Sequence, residues 1–198
     1  PAGAADAKTL RWASQGDPQT ADPHSQNEGL TNMFSEAVHD RLVMRDNALK
    51  PIPGLATSWT QVSPTVWRFN LRRGVRFHDG SPFTADDVVF TAEYCLNEAT
   101  ACSTANSFAN IAKVEKVDDT TVKITYKAAN PNVYEAFVGS AGYILQKAQF
   151  GNCIGEKAAT DDACKAANLN PIGTGPFKVR EFKPGDVVIY DVNENYRD

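Results

Sequence analysis

The sequence predicts a mixed α/β (α+β) fold, and three stretches carry that prediction. "VWRFNLRR" has the period of a strand and is followed closely by "FTADDVVFTAEYC", which has the period of a helix. "VEKVDDTTVKITY" reads as a hairpin, and "TGPFKVREFKPGDVVIYDV" as two more strands around Pro184-Gly185. Strand and helix periods thus interleave along one chain.

In chain order, "TLRWA" at 9–13 reads as a first strand and "TADPHSQNEGLTN" as the long loop after it. A helix is expected from about Asn32 to Leu42, with Phe34, Ala37, Val38 and Leu42 on one side. The Pro-rich "LKPIPG" at 49–54 is the best candidate for a crossing between substructures. In the strand that follows, Trp67, Phe69 and Leu71 alternate with Arg68, Asn70 and Arg72, giving one apolar and one wet face. "HDG" is a turn, because Asp79 can bond nearby backbone and Gly80 accepts a positive φ. Thr84 stands at a helix start with Asp86 and Asp87 in the first turn, against free amides and the positive end of the helix dipole. Ala85, Val88, Val89, Ala92 and Leu96 then form the expected buried stripe. Val122, Ile124 and Tyr126 alternate after the Asp118-Asp119-Thr120 turn, and "NVYEAFVG" is a short helix.

Composition limits the function. The 198 residues can bury a sizeable core, as one domain or as a lobe with an appended subdomain. A hydrophobic fraction of 42% and a charged fraction of 22% belong to a globular protein. A net charge of -4 offers no basic field, which argues against nucleic acid and anionic membranes as partners. Apolar runs such as 88–90 and 143–145 are far shorter than the roughly 20 residues of a spanning helix. The opening "PAGAADAK" resembles the stub left by removal of a secretory signal, with a leader left by recombinant expression as the alternative.

The four cysteines fall into two close pairs set in polar loops, Cys95 with Cys102 and Cys153 with Cys164. No C-x-x-C occurs and His24, His39 and His78 are scattered, so neither a zinc site nor a thioredoxin-like motif is expected. Four free thiols are the alternative. Two local bridges fit better, each stapling one loop by about 2–3 kcal/mol, and they agree with an oxidising compartment.

Two motifs invite a catalytic reading. His78, Asp79, Asp86 and Asp87 could form an acid-base or metal cluster, yet each has a structural role to fill (turn, turn, cap and dipole partner), and no nucleophile or phosphate loop accompanies them. Gly173-Thr174-Gly175 resembles the start of a nucleotide loop, but Pro176 and a strand follow where a helix is required. Glycines at a tight backbone crossing between lobes account for it better. No catalytic residue, metal ligand or cofactor is assigned.

"LATSWTQVSPTVWRFNLRRGVRFHDGSPFTADDVVF", then "PIGTGPFKV", then the closing "NENYRD" together resemble the family 5 extracellular solute-binding proteins of bacterial ABC importers. The likeness runs through nearly the whole chain in order. It implies a fold of the type II periplasmic-binding-protein kind and makes residues 66–95 scaffold of the first lobe. Such proteins have two lobes and more than twice this length, so the resemblance implies an amino-terminal fragment with the second lobe missing. Residues 1–45 and 170–198 would belong to the lobe-one core, and 46–169 to a subdomain packed beside it. The cysteine loops are not general in the family.

The function implied is extracytoplasmic, periplasmic capture of a peptide or similar small solute by a monomer, and delivery to ABC permease subunits. The loop after the first strand, at Asn27, Glu28, Gly29 and Leu30, would reach the ligand cleft, with Ser140, Ala141 and Tyr143 as a second wall. Glu28 could meet a ligand ammonium or be a solvated carboxylate, and Tyr143 could equally be a core aromatic. Two other classes remain as alternatives: an autonomous interaction or sensor domain, which requires a chain complete at 198 residues, and an enzyme, for which no residue set is recognisable.

Overall fold

A computed structural model describes residues 9–197. Its centre is a four-stranded antiparallel sheet formed by β3 (Ala56–Ser63), β4 (Val66–Leu71), β5 (Ile111–Asp118) and β6 (Thr121–Tyr126), in the order β3-β4-β6-β5. The alternation in "WRFNL" sets the register. Phe69 and Leu71 are buried while Arg68 and Asn70 face water, and Phe69 pairs with Val122 on one side and Trp59 on the other. Val122, Ile124 and Tyr126 fill the same core from β6.

Helix α2 (Ala85–Leu96) packs against β5 and β6. Thr84 caps it: the Thr84 hydroxyl accepts from Asp86 N, and the Asp87 carboxylate answers by accepting from Thr84 N at 2.9 Å. The buried face is wider than the expected stripe and lies differently. Ala85, Val88 and Ala92 are buried as expected, but Val89 is only half-buried and Leu96 is exposed, while Asp87, Phe90, Thr91, Tyr94 and Cys95 are buried. The helix is covered on a second side by residues 143–150, where Thr91 Oγ1 accepts from Leu145 N and Asp87 Oδ1 from Lys147 N.

Helix α1 (Gly29–Val38) begins three residues before the expected start, because Glu28 caps it, and ends at Val38 where His39 turns extended. Leu42 is buried beyond the helix end. Phe34, Val38 and Ala21 form a second, smaller apolar cluster with Val179, Val188 and Tyr190 of the hairpin β7 (Phe177–Lys183) and β8 (Val187–Val192). That hairpin turns through Gly185 at φ 80°, as its sequence predicts. "LKPIPG" supplies β2 (Pro51–Pro53), which pairs with β1 (Val43–Arg45).

Residues 9–13 do not form the expected strand. No strand pairs with them among the described residues, and Leu10 and Trp12 stand 86% and 58% exposed, so the alternating pattern has no sheet to join. "NVYEAFVG" supplies a 3-10 turn at Glu135–Phe137 in place of a helix. Four short helices went unread in the sequence: α3 (Ala105–Phe108), α4 (Lys147–Phe150), α5 (Lys157–Thr160) and α6 (Asp162–Ala167). Both expected bridges are present, Cys95–Cys102 and Cys153–Cys164. The "PAGAADAK" stretch lies outside the described residues.

The glycine crossing is as tight as its sequence implies. Gly175 N donates to Val38 O at 2.8 Å, and a Cβ on Gly175 would stand 2.6 Å from Val38 C. His78 clamps the same segment, with Nε2 3.0 Å from Gly175 O and its backbone N donating to Gly173 O at 2.9 Å. Beside it the buried Asp40 gathers Thr174 Oγ1 at 3.1 Å and both arms of Arg197. One carboxylate therefore ties the end of α1 to the crossing and to "NYRD".

Candidate functional site

The loop entering α1 is buried and polar, so its groups must find partners inside the protein. Asp22 Oδ1 accepts from His24 N at 2.9 Å, and Asp22 Oδ2 from the Tyr94 hydroxyl at 2.6 Å. Burial, with the Asp22 charge behind it, pushes the Tyr94 hydroxyl pKa upward. His24 is fully buried with Nε2 2.8 Å from Tyr143 O. A carbonyl can only accept, so Nε2 carries the proton, and burial holds the imidazole pKa below its ordinary value. Ser103 donates to His24 O through both N (2.7 Å) and Oγ (2.9 Å). The loop is thereby fixed to α2, to the 102–104 turn and to residue 143.

The expected ligand residues sit at the end of this loop. Asn27 is exposed, and its Oδ1 accepts from Asn32 Nδ2 at 2.9 Å. Glu28 is half-buried, and its carboxylate accepts from Leu30 N (2.9 Å) and Thr31 N (2.5 Å). The bonding at Thr31 lowers its pKa. Gly29 is exposed at the first turn and Leu30 is half-buried.

The second expected wall is a 3-10 turn, Gly139–Gly142, in which Gly139 takes φ +62°. Ser140 is half-buried and Ala141 buried. Tyr143 is 1% exposed and bridges antiparallel to Arg41. Its hydroxyl donates to Asn32 O at 3.1 Å and accepts from Arg41 Nη2 at 2.6 Å, while the guanidinium carbon stands 4.4 Å over the ring. Arg41 also donates Nε to Gly139 O (2.8 Å) and Nη1 to Glu36 (3.2 Å). Burial raises the Tyr143 pKa and Arg41 opposes that shift.

The 139–143 segment therefore meets α1 at Tyr143 Oη on Asn32 O, and the loop before α1 at Tyr143 O on His24 Nε2. Asn32 and Glu36 of α1 and Arg41 just beyond it belong to this junction and were not singled out in the sequence, since a lone arginine, asparagine or glutamate carries no motif. Two surface concavities lie elsewhere: about 330 Å³ at Gln61–Pro64, and about 620 Å³ around Ser81, Asp87, Gln146 and Lys147. Neither is lined by residues 27–30 or 139–143.

The suspected acid-base cluster is not one site. Asp79 takes Ser81 N and Gln146, Asp86 pairs with Lys116 at 2.6 Å, and Asp87 closes the helix cap. Away from these, His24 approaches the Cys95–Cys102 bridge, with one ring nitrogen and both Sγ within 4.8 Å of one another. Among the described residues no helix is long and apolar enough to cross a membrane.

The chain is similar to the dipeptide-binding protein of Escherichia coli K12, 29% identical over 96% of this chain and 38% of that protein. It is also similar to di/tripeptide-binding protein 1 of Pseudomonas aeruginosa UCBPP-PA14, 30% identical over the same shares. The oligopeptide-binding protein AppA of Bacillus subtilis, solved with a nonapeptide, superposes with a TM-score of 0.82 at 27% identity, over 92% of this chain and 36% of that one. The fold is thus that of the type II binding proteins, and the chain spans well under half the length of the relatives it matches. All three are binding proteins by name. The family model for "Bacterial extracellular solute-binding proteins, family 5 Middle" matches residues 50–198, and the chain belongs to that family.

Proposed function

We propose that the chain is part of a periplasmic protein that captures a peptide or similar small solute and hands it to an ABC permease, without catalysis. The observation carrying this reading is the likeness to di-, tri- and oligopeptide-binding proteins along 92–96% of the chain. Residues 1–45 and 170–198 would serve as lobe-one core and 46–169 as the subdomain; the smaller apolar cluster, which joins residues 21–38 to 179–190, supports the first grouping, while Leu42 and Val43 pack into the larger cluster with 46–169. The monomeric state, the processed signal and the absence of nucleic-acid partners belong to the same proposal.

In this reading Asn27, Glu28, Gly29 and Leu30 form one wall of this lobe's side of the cleft, and Ser140, Ala141 and Tyr143 a second. Their geometry supports a division of labour. Glu28 and Tyr143 have their polar atoms engaged, so they hold the two segments in place, while the exposed Asn27 and Gly29 and the half-buried Ser140 face the solute. A second lobe would supply the opposite wall, and closure would bury the solute between them.

Calorimetry with a panel of di- and tripeptides, on the protein at its natural length and on residues 1–198, tests this. The natural-length protein should bind a member of the panel, and residues 1–198 should bind it at least a hundredfold more weakly, because one side of the cleft leaves about half the contacts unmade. Equal affinities would show a complete site within 198 residues and favour an autonomous domain. No binding by either would remove di- and tripeptides as the solute.

A further inference from the structure

The buried His24 has one nitrogen too many for its surroundings. Nε2–H is committed to Tyr143 O, and among the described residues Nδ1 has no hydrogen-bond partner although it is shielded from water. An unmet lone pair at such depth is costly, which marks it as a group with something further to do. A metal-bound histidine has this arrangement, with one nitrogen donating to a backbone carbonyl and the other left open for the ion. The side chains beside the ring are the softest ligands available, Cys95 and Cys102, with both sulfurs within 4.8 Å of one of its nitrogens.

We propose that Cys95, Cys102 and His24 form a Cys2His site for zinc, closed while the bridge is intact and opened when a dithiol reduces it. The chemistry balances. The dithiol attacks Sγ of Cys102, the less deeply buried residue of the two at 8% exposure against 2%, and passes through a mixed disulfide. Its second thiol then closes its own disulfide, so that two electrons and two protons reach the cysteines. Zinc displaces the two thiol protons, and the two thiolates cancel its charge, which suits a buried position better than a charged complex. Zn–S near 2.3 Å and Zn–N near 2.0 Å put ligand atoms about 3.5–3.8 Å apart, so the two sulfurs must part by about 1.7 Å from bonding distance and the histidine nitrogen must close by up to about 1.3 Å.

The framework for that adjustment is already built. Ser103 holds the His24 carbonyl, Asp22 joins His24 N to Tyr94, and Thr104 Oγ1 stands 3.4 Å from Cys102 Sγ, within reach of a fourth position. Loss of the covalent staple would thus be answered by a metal staple in the same place, keeping the 20–28 loop attached to residue 143. This inference stands on the bridge and His24 alone and does not need the peptide reading.

The test uses the chain itself, reduced under argon with a phosphine (which becomes its oxide, taking oxygen from water), desalted, and titrated with cobalt(II) and then zinc(II). Reduced protein should take one equivalent of cobalt with a thiolate-to-metal absorption band, zinc should displace it, and oxidised protein should show neither. C153S/C164S should keep the equivalent, C95S/C102S should lose it, and H24Q should weaken it at least tenfold. X-ray absorption on the reduced wild-type zinc form should count two sulfurs and a histidine nitrogen, which covers the case of a variant that fails to fold. No uptake by the reduced chain, a site that follows Cys153 and Cys164, sulfur-only coordination, or undiminished binding in H24Q would each overturn the proposal.

Discussion

Replacing Gly175 by alanine tests the glycine crossing on which the closing strands depend. The new Cβ would stand 2.6 Å from Val38 C, 2.7 Å from Val38 O and 2.8 Å from Ala37 O, where ordinary contact begins near 3.4 Å. All three atoms are backbone, so no side chain can swing away, and the two segments must part by about 0.6–0.8 Å. That separation stretches the 2.8 Å Gly175 N–Val38 O bond out of range and disturbs the bonds that Gly175 O receives from His78 and Asn193. An unmade buried hydrogen bond costs about 1–3 kcal/mol and overpacking a further 1–3, so a loss of about 2–6 kcal/mol is expected. With a urea slope of about 2 kcal/mol per molar, the midpoint of unfolding should fall by roughly 2 M. Gly29→Ala is the control. Nothing lies within 4 Å of its would-be Cβ and it starts α1, so alanine there should be neutral or stabilise by up to about 1 kcal/mol. A Gly175→Ala midpoint within about 0.5 M of wild type would refute the crossing as a constraint.

Asp40→Asn strands Arg197 at a site where the two side chains are only 6% and 14% exposed, and should cost about 3–5 kcal/mol in the same assay. Thr84→Ala removes the α2 cap at about 1 kcal/mol, and Asp87→Ala should cost more because Asp87 also holds Lys147 N. Burial lowers the pKa values of His24, His39 and His78, that of His39 to about 3. The unfolded chain therefore takes up protons below pH 6.5 that the folded chain refuses. Stability should fall with acidification by up to about 1.4 kcal/mol per pH unit per histidine, for His39 down to about pH 3. Asp87, whose pKa burial raises, works in the opposite sense. Urea midpoints that stay level between pH 7.5 and 5 would contradict this assignment.

What the sequence discloses here is local. Thr84 and Asp87 announce a helix start because a cap is written within four residues, and Phe69 and Leu71 announce a strand face because their neighbours are charged or amidic. The glycines at 173 and 175 announce a close approach through the absence of side chains. Features that depend on distant partners were hidden. His78 read as part of a turn, although its ring reaches Gly175 across 97 residues. Residues 9–13 have strand alternation and no strand, since pairing is a property of the neighbour. The second covered side of α2 is decided by residues 143–150, and so is invisible in the helix itself. At the candidate site the sequence supplied the two segments through family likeness, but not Arg41, whose role arises only where those segments meet.

The central claim is that this chain belongs to a protein that binds peptides between two lobes. Native mass spectrometry of the natural-length protein purified from its source measures that most directly. The account predicts an added mass of one short peptide per protein, released on denaturation and sequenced as such. A bound molecule with no peptide bond, or a protein that stays empty in the presence of di-, tri- and longer peptides, would contradict it.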